Sequence, residues 1–287
     1  MNFLKRALTG VCIVAVITGC ILYGWASSAV LFALVTIFTT AEFLHIAGSR
    51  KGIPADVVIK VAASGCFYAS VIALARESAL GTCPASVALI ALSVLSVMIL
   101  MADELFSSRP TPLYNIATGL MPVLYIAFPM ALIPVLGIMY GRISGTEYDG
   151  MLPLMVFVFI WCNDVGAYCV GCTLGKHRLF LRVSPKKSWE GSAGGALLTV
   201  AAALCFVLLM PERTGMLPVW MWLLSALTVV VAGTFGDLVE SLVKRELGIK
   251  DSGNILPGHG GLLDRFDSTL FAVPSVFVLL EVYLHFC

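Results

Sequence analysis

About nine apolar stretches, most near the ~20 residues needed to cross the hydrocarbon core of a bilayer, follow one another along this 287-residue chain. They run roughly over 7–26, 28–48, 56–75, 84–102, 114–140, 151–172, 191–210, 217–239 and 268–286. Such runs are too long and too numerous for the buried helices of a soluble domain. The composition agrees: 59% of the residues are hydrophobic and 12% charged, against about 45–50% apolar in soluble domains. The fold expected is all-α, a polytopic integral membrane helical bundle of about nine transmembrane helices. Helices of 1–110 form its N-terminal part and 111–287 a catalytic region, within one membrane domain. Three prolines, Pro122, Pro129 and Pro134, fall in the fifth stretch, whose excess length predicts a kinked, tilted or partly re-entrant helix.

Charge placement sets the topology. With the N-terminus in the cytoplasm, fourteen of the 18 basic residues fall on the cytoplasmic side. Arg76, Arg142 and Arg213 fall on the other, and Lys60 stays within a span. Lys5 and Arg6 followed by unbroken apolar sequence read as an uncleaved anchor rather than a signal peptide. Overall, 18 basic against 17 acidic residues, a net charge of +1, carry no attraction to nucleic acid. The nine cysteines mostly sit in apolar runs and read as packing residues, the pair Cys169 and Cys172 included.

Two long polar connections, roughly 173–190 and 240–267, carry nine of the basic residues, and both lie on the cytoplasmic side. The densest run is Gly236 to Asp267, where acidic, basic and glycine residues alternate around a single histidine. On a helix, Asp237, Glu240 or Ser241, and Lys244 share one face. Asp264 and Asp267, three apart, do the same, and carboxylate oxygens suit a hard cation such as Mg²⁺. Pro257-Gly258-His259-Gly260-Gly261 between them offers backbone amides to an anion just before a helix start. In the other connection, Ser184-Pro185-Lys186-Lys187-Ser188-Trp189-Glu190-Gly191 precedes an apolar helix and supplies lysines as point charges for phosphate. Asn163 and Asp164 lie near the cytoplasmic end of the sixth span, where a carboxylate is a functional candidate. Glu42 and Lys60 also lie in apolar stretches, close enough to their ends to snorkel, and receive no catalytic role. A Walker-type phosphate loop is absent from the sequence.

These residues resemble the phosphatidate cytidylyltransferase (CDP-diacylglycerol synthase) family. The resemblance rests on Ser241, Lys244-Arg245, Lys250-Asp251, His259-Gly260-Gly261 and Asp264-Arg265-Phe266-Asp267 at fixed gaps, with Asn163-Asp164, Ala167-Tyr168 and the SPKKSWEG stretch upstream. It implies transfer of CMP from CTP to phosphatidate, giving CDP-diacylglycerol and pyrophosphate. It also implies Asp237 and Asp264 as metal ligands with Asp267 supporting, Mg²⁺ with a K⁺ companion, and Lys244 beside them in the catalytic set. Asn163, Asp164, Ser184, Lys186, Lys187, Trp189, Glu190, Ser241, Arg245, Lys250, Asp251, His259, Gly260, Gly261 and Arg265 form the implied substrate shell. A homodimer is implied by the resemblance alone. The compact length fits bacterial members and hence a plasma (inner) membrane, with the site facing the cytoplasm. Competing readings are a CTP-dependent polyprenol-type lipid kinase and a multi-pass transporter. The first differs in releasing CDP, and the second leaves the HGG and DRFD cluster unexplained.

Overall fold

The computed structural model describes residues 3–49, 57–80, 85–106, 111–253 and 260–286. Within them the chain is built from helices α1 (Phe3–Tyr23), α2 (Trp25–Ser49), α3 (Val57–Leu80), α4 (Ala85–Phe106), α5 (Pro112–Pro122), α6 (Phe128–Ser144), α7 (Met151–Leu174), α8 (Trp189–Leu209), the single turn α9 (Pro211–Thr214), α10 (Val219–Glu246) and α11 (Leu263–Phe286). A two-stranded antiparallel hairpin, β1 (Arg178–Phe180) and β2 (Ser184–Ser188), is the one sheet among the described residues. Eight helical segments are long and apolar enough to cross a membrane, and a shorter apolar helix spans Leu8–Tyr23. That is the all-α membrane bundle the hydropathy predicts, with one small hairpin added.

The fifth stretch is a single 33-residue helical segment, Pro112–Ser144, neither broken nor re-entrant. Pro122 ends α5, and a π-helical turn over Val123–Ala127 links it to α6. Pro129 lacks a backbone donor and crowds the preceding turn, which is this one, and the wider turn absorbs that misfit without ending the helix. This segment is the most buried span of the bundle, and Met130–Tyr140 are all buried.

Helices in lipid gain little from apolar burial, so close backbone approach carries much of the packing. Glycines provide it where the site is built. A Cβ on Gly166 of α7 would stand 2.7 Å from Gly194 O of α8, and one on Gly195 would overlap the Asn163 side chain. A Cβ on Gly236 of α10 would stand 2.5 Å from Asp267 O of α11. Phe32, Phe157 and Phe266, from α2, α7 and α11, meet with ring centroids 5.8–6.4 Å apart and fix the first turn of α11 against the bundle. Leu8, Val30, Met98, Leu197 and Phe235, among many others, leave apolar surface outward, as a bilayer-facing wall should.

Two boundaries differ from those read from hydropathy. α10 runs on to Glu246 and α11 begins at Leu263, so the acidic residues at both ends of the 240–267 connection are helical. Apolar runs report where lipid contact stops; they do not report where a helix stops.

Candidate active site

α10 and α11 cross at Gly236, and three carboxylates gather just beyond the crossing. Asp237, Glu240 and Asp267 each offer an oxygen, and these oxygens lie within 4.8 Å of one another. Asp237 and Glu240 are three residues apart on α10, which places them on one helical face. Glu240 is 1% exposed, and its Oε1 has no hydrogen-bond partner among the described residues. Asp267 is held by the amide of Ser268, which donates to Oδ1 at 2.6 Å.

Cations surround this trio. Lys187, from β2, reaches Asp237 Oδ2 at 2.5 Å, and the Ser241 hydroxyl donates to Asp237 Oδ1 at 3.2 Å. Lys244 stands 2.5 Å from Glu240 Oε2 and 2.8 Å from Asp264 Oδ1. Asp264 is not one of the three that converge, and Lys244 bridges it to Glu240. Its other oxygen accepts from the amides of Ser252 at 2.9 Å and Gly261 at 3.2 Å, so it ties Lys244 to the polar connection. Among the described residues, the oxygens that converge closely enough for one ion belong to Asp237, Glu240 and Asp267.

Beside Asp237 a cavity of about 630 Å³ opens between α7, α8 and the hairpin. Asn163, Asp164, Arg178, Lys186 and Lys187 line it, so polar and basic groups converge in a volume typical of small-molecule sites. The hairpin is locked to α8 from both ends. Glu190 accepts from the amides of Lys176 and His177 and lies 2.5 Å from His177 Nδ1, and Ser188 caps the helix through the Gly191 amide. Ser184 sits in β2, Trp189 is exposed at the start of α8, and Arg245, Lys250, Asp251 and Arg265 are exposed and do not line this cavity. Gly260 has φ +86°, a left-handed conformation suited to glycine, and Gly261 packs where a Cβ would overlap Glu42 and Ser252. His259 lies outside the described residues.

Two participants carry no signal in the motif pattern. Glu42, on α2, accepts from the Ser252 hydroxyl and, at 2.8 Å, from the Leu262 amide, so it braces the polar connection from 210 and 220 residues away. Arg178, one of the basic residues of the 173–190 connection, lines the cavity and donates to Lys186 O at 3.4 Å.

Carboxylates converging for a cation, lysines set against them and an open polar cavity at the ends of membrane helices define a membrane-embedded enzyme that handles phosphate-bearing substrates. Comparison with known proteins is specific on the kind: the cytidylyltransferase family model matches residues 4–283, and the chain belongs to that family. A phosphatidate cytidylyltransferase of Staphylococcus haemolyticus is 32% identical over 247 residues, covering 85% of this chain and 90% of that protein. One from Bacillus subtilis is 48% identical over 126 residues, covering 44% of this chain and 46% of that protein. One from Staphylococcus saprophyticus is 40% identical over 157 residues, 54% of this chain and 58% of that protein.

Proposed function

We propose that this chain transfers the cytidylyl group of CTP to phosphatidate, forming CDP-diacylglycerol and releasing pyrophosphate. The observation that carries the reading is the junction of Asp237: on one side the carboxylate trio, on the other Lys187 and the basic cavity. In the reaction a phosphate oxygen of phosphatidate bonds to the α-phosphorus of CTP, and the bond from that phosphorus to the β-bridging oxygen breaks. Pyrophosphate carries the electron pair away. No protein nucleophile is required, so positioning and charge neutralisation are the tasks left to the chain.

Asp237, Glu240 and Asp267 suit Mg²⁺, a hard cation that favours carboxylate oxygens, and Glu240 Oε1 is a buried acceptor with no partner among the described residues. Held there, the ion would offset charge on the phosphates of both substrates. Lys187, Lys186 and Arg178 bind the triphosphate from the cavity. Lys244 holds Glu240 and Asp264 in place. Fourteen basic residues on one side against three on the other support a site at the cytoplasmic surface, where soluble CTP meets a lipid headgroup. In bacteria that surface belongs to the plasma membrane.

The test is detergent-solubilised protein with phosphatidate, Mg²⁺ and CTP labelled at the α-phosphate. Label is expected in lipid together with released pyrophosphate, and Asp237→Asn is expected to abolish both. Release of CDP with no label in lipid would instead identify a kinase.

A further inference from the structure

Trp25 opens α2 and Arg76 lies near the end of α3, and the Arg76 guanidinium rests 3.7 Å over the Trp25 ring. Arg76, Arg142 and Arg213 are the three basic residues on the side that the positive-inside rule keeps poor in them. The other two are engaged: Arg142 donates to Ala75 O at 2.7 Å, and Arg213 lies 3.9 Å from Asp149. Stacking uses the flat face of the Arg76 guanidinium and leaves its in-plane N–H donors, which have neither hydrogen bond nor ion pair among the described residues. Glu77 does not supply one, because successive helical residues do not face each other. Its Oε1 accepts from the Ser86 amide at 2.8 Å, and its buried Oε2 has no partner among the described residues. A cation without an anion and an acceptor without a donor therefore stand side by side.

Both residues line one groove of about 550 Å³ between α2 and α3. Away from them its lining is apolar and mostly small, with Ala29, Ala33, Gly65, Ala69 and Ile72 among its residues. The Tyr68 hydroxyl is already taken by Ala29 O at 2.7 Å, and a Cβ on Gly65 would meet nothing within 4 Å. The groove runs from Trp25 to Ile37 on α2 and from Glu77 to Gly65 on α3, about 18 Å at 1.5 Å per residue. One leaflet's hydrocarbon is about 15 Å deep, half of the ~30 Å core. Glu42, towards the other end of α2, braces the connection that carries the active site, so the charged mouth of the groove opens in the opposite leaflet. An apolar slot one leaflet deep, with a cation and an acceptor at its mouth, has the chemistry to hold a phospholipid. The phosphate answers Arg76, and a carboxylate oxygen lacking a donor is answered best by an N–H of positive charge.

We propose that the α2–α3 groove binds a phospholipid of the leaflet opposite the active site, one acyl chain in the groove, its phosphate at Arg76 and a primary ammonium at Glu77. Binding there does not depend on the reaction at the carboxylate trio.

The test is thermal unfolding of delipidated protein in detergent micelles, titrated with dioleoyl phospholipids bearing ethanolamine, choline or glycerol headgroups. The ethanolamine lipid should stabilise at the lowest mole fraction, because choline has no N–H to donate and glycerol has no positive charge. Arg76→Gln should raise the half-saturating mole fraction of that lipid about tenfold, the effect of losing a hydrogen bond between charged groups. Glu77→Gln should remove most of the preference for ethanolamine over glycerol. Gly65→Leu, whose side chain enters open groove, should weaken all three lipids alike. Equal responses of the wild type to the three headgroups would overturn the assignment, and so would wild-type behaviour in Arg76→Gln, a variant at the mouth that still reports if Gly65→Leu does not fold. Loss of dimer mass by light scattering in Gly65→Leu, with lipid responses unchanged, would also overturn it and make the groove a contact between two copies of the chain. Since no label from CTP is read, failure of cytidylyl transfer leaves each of these outcomes intact.

Discussion

Lys244 holds two carboxylates from two helices, and the difference between those carboxylates separates the roles of four acidic residues. Glu240, Asp237 and Asp267 converge, while Asp264 points to Lys244 and to the amides of Ser252 and Gly261. Asp267→Asn should therefore lower activity by ~10²–10³-fold, the scale of losing one preorganised electrostatic group, and leave thermal stability close to wild type. Asp264→Asn should lower both, since a largely buried ion pair loses one partner, a change that destabilises by about 3–5 kcal/mol. Paired activity and thermal-unfolding measurements on the two variants check this. A second expectation concerns Glu42. Removing its carboxylate in Glu42→Ala leaves the Ser252 hydroxyl and the Leu262 amide without their acceptor, so the start of α11 loosens. Activity should fall roughly 10- to 100-fold, as when reacting groups are misplaced by about 1 Å, and limited proteolysis should cut the connection before α11 faster. Chemistry at this scale was legible where it sits in one motif. Asp237, Lys187 and Lys244 stand out by spacing and type. Glu42 does not, because its partners lie 210 residues away and a lone acid in an apolar helix looks the same whether it braces a loop or snorkels.

At the scale of elements, the site exists because α10 and α11 approach at Gly236, close enough that a Cβ there would meet the carbonyl of Asp267 at 2.5 Å. Gly236→Ala should push the helices apart, open the trio and cut activity by ~10²-fold, with a higher Mg²⁺ concentration needed for half-maximal rate. Gly65→Ala is the control: nothing lies within 4 Å of a Cβ there, and the better helix propensity of alanine makes it neutral or slightly stabilising. Activity against Mg²⁺ concentration for the two variants tests the claim. Hydropathy located every span but not these crossings. The apolar windows near 217–239 and 268–286 stop where polar residues begin, yet both helices continue through them, and it is in those polar turns that Asp237, Glu240, Lys244, Asp264 and Asp267 are displayed. The hairpin over Arg178–Ser188 was equally hidden, since strands of three and five residues are too short to show an alternating pattern and only pairing across the turn makes them strands. The π-turn at Val123–Ala127 has a visible cause in Pro129 just after it, but a proline by itself reads equally as a kink or a break.

For the molecule as a whole, the site and a second polar cavity lie at opposite ends of the bundle. The second, of about 880 Å³, is lined by Tyr23, Glu147, Tyr148, Asp149, Glu212 and Arg213 among others. These residues come from the end of α1, the α6–α7 connection and the α8–α10 connection. The active site comes from the end of α7, the start of α8, the end of α10 and the start of α11. Every helix crossing between them reverses the side, so one labelling experiment orients them all. In a variant with its cysteines replaced by alanine or serine, a single cysteine at Lys186 should react with a membrane-impermeant thiol reagent in inside-out vesicles and not in intact cells. A single cysteine at Arg213 should show the opposite pattern. The physical basis is the fourteen-to-three split of basic residues, which the positive-inside rule turns into a direction of insertion. Lys186 labelled from the outside would invert the bundle and place the carboxylate trio in a compartment where CTP is not supplied, and cytidylyl transfer would then have to be abandoned on grounds of access, even with every side-chain distance unchanged.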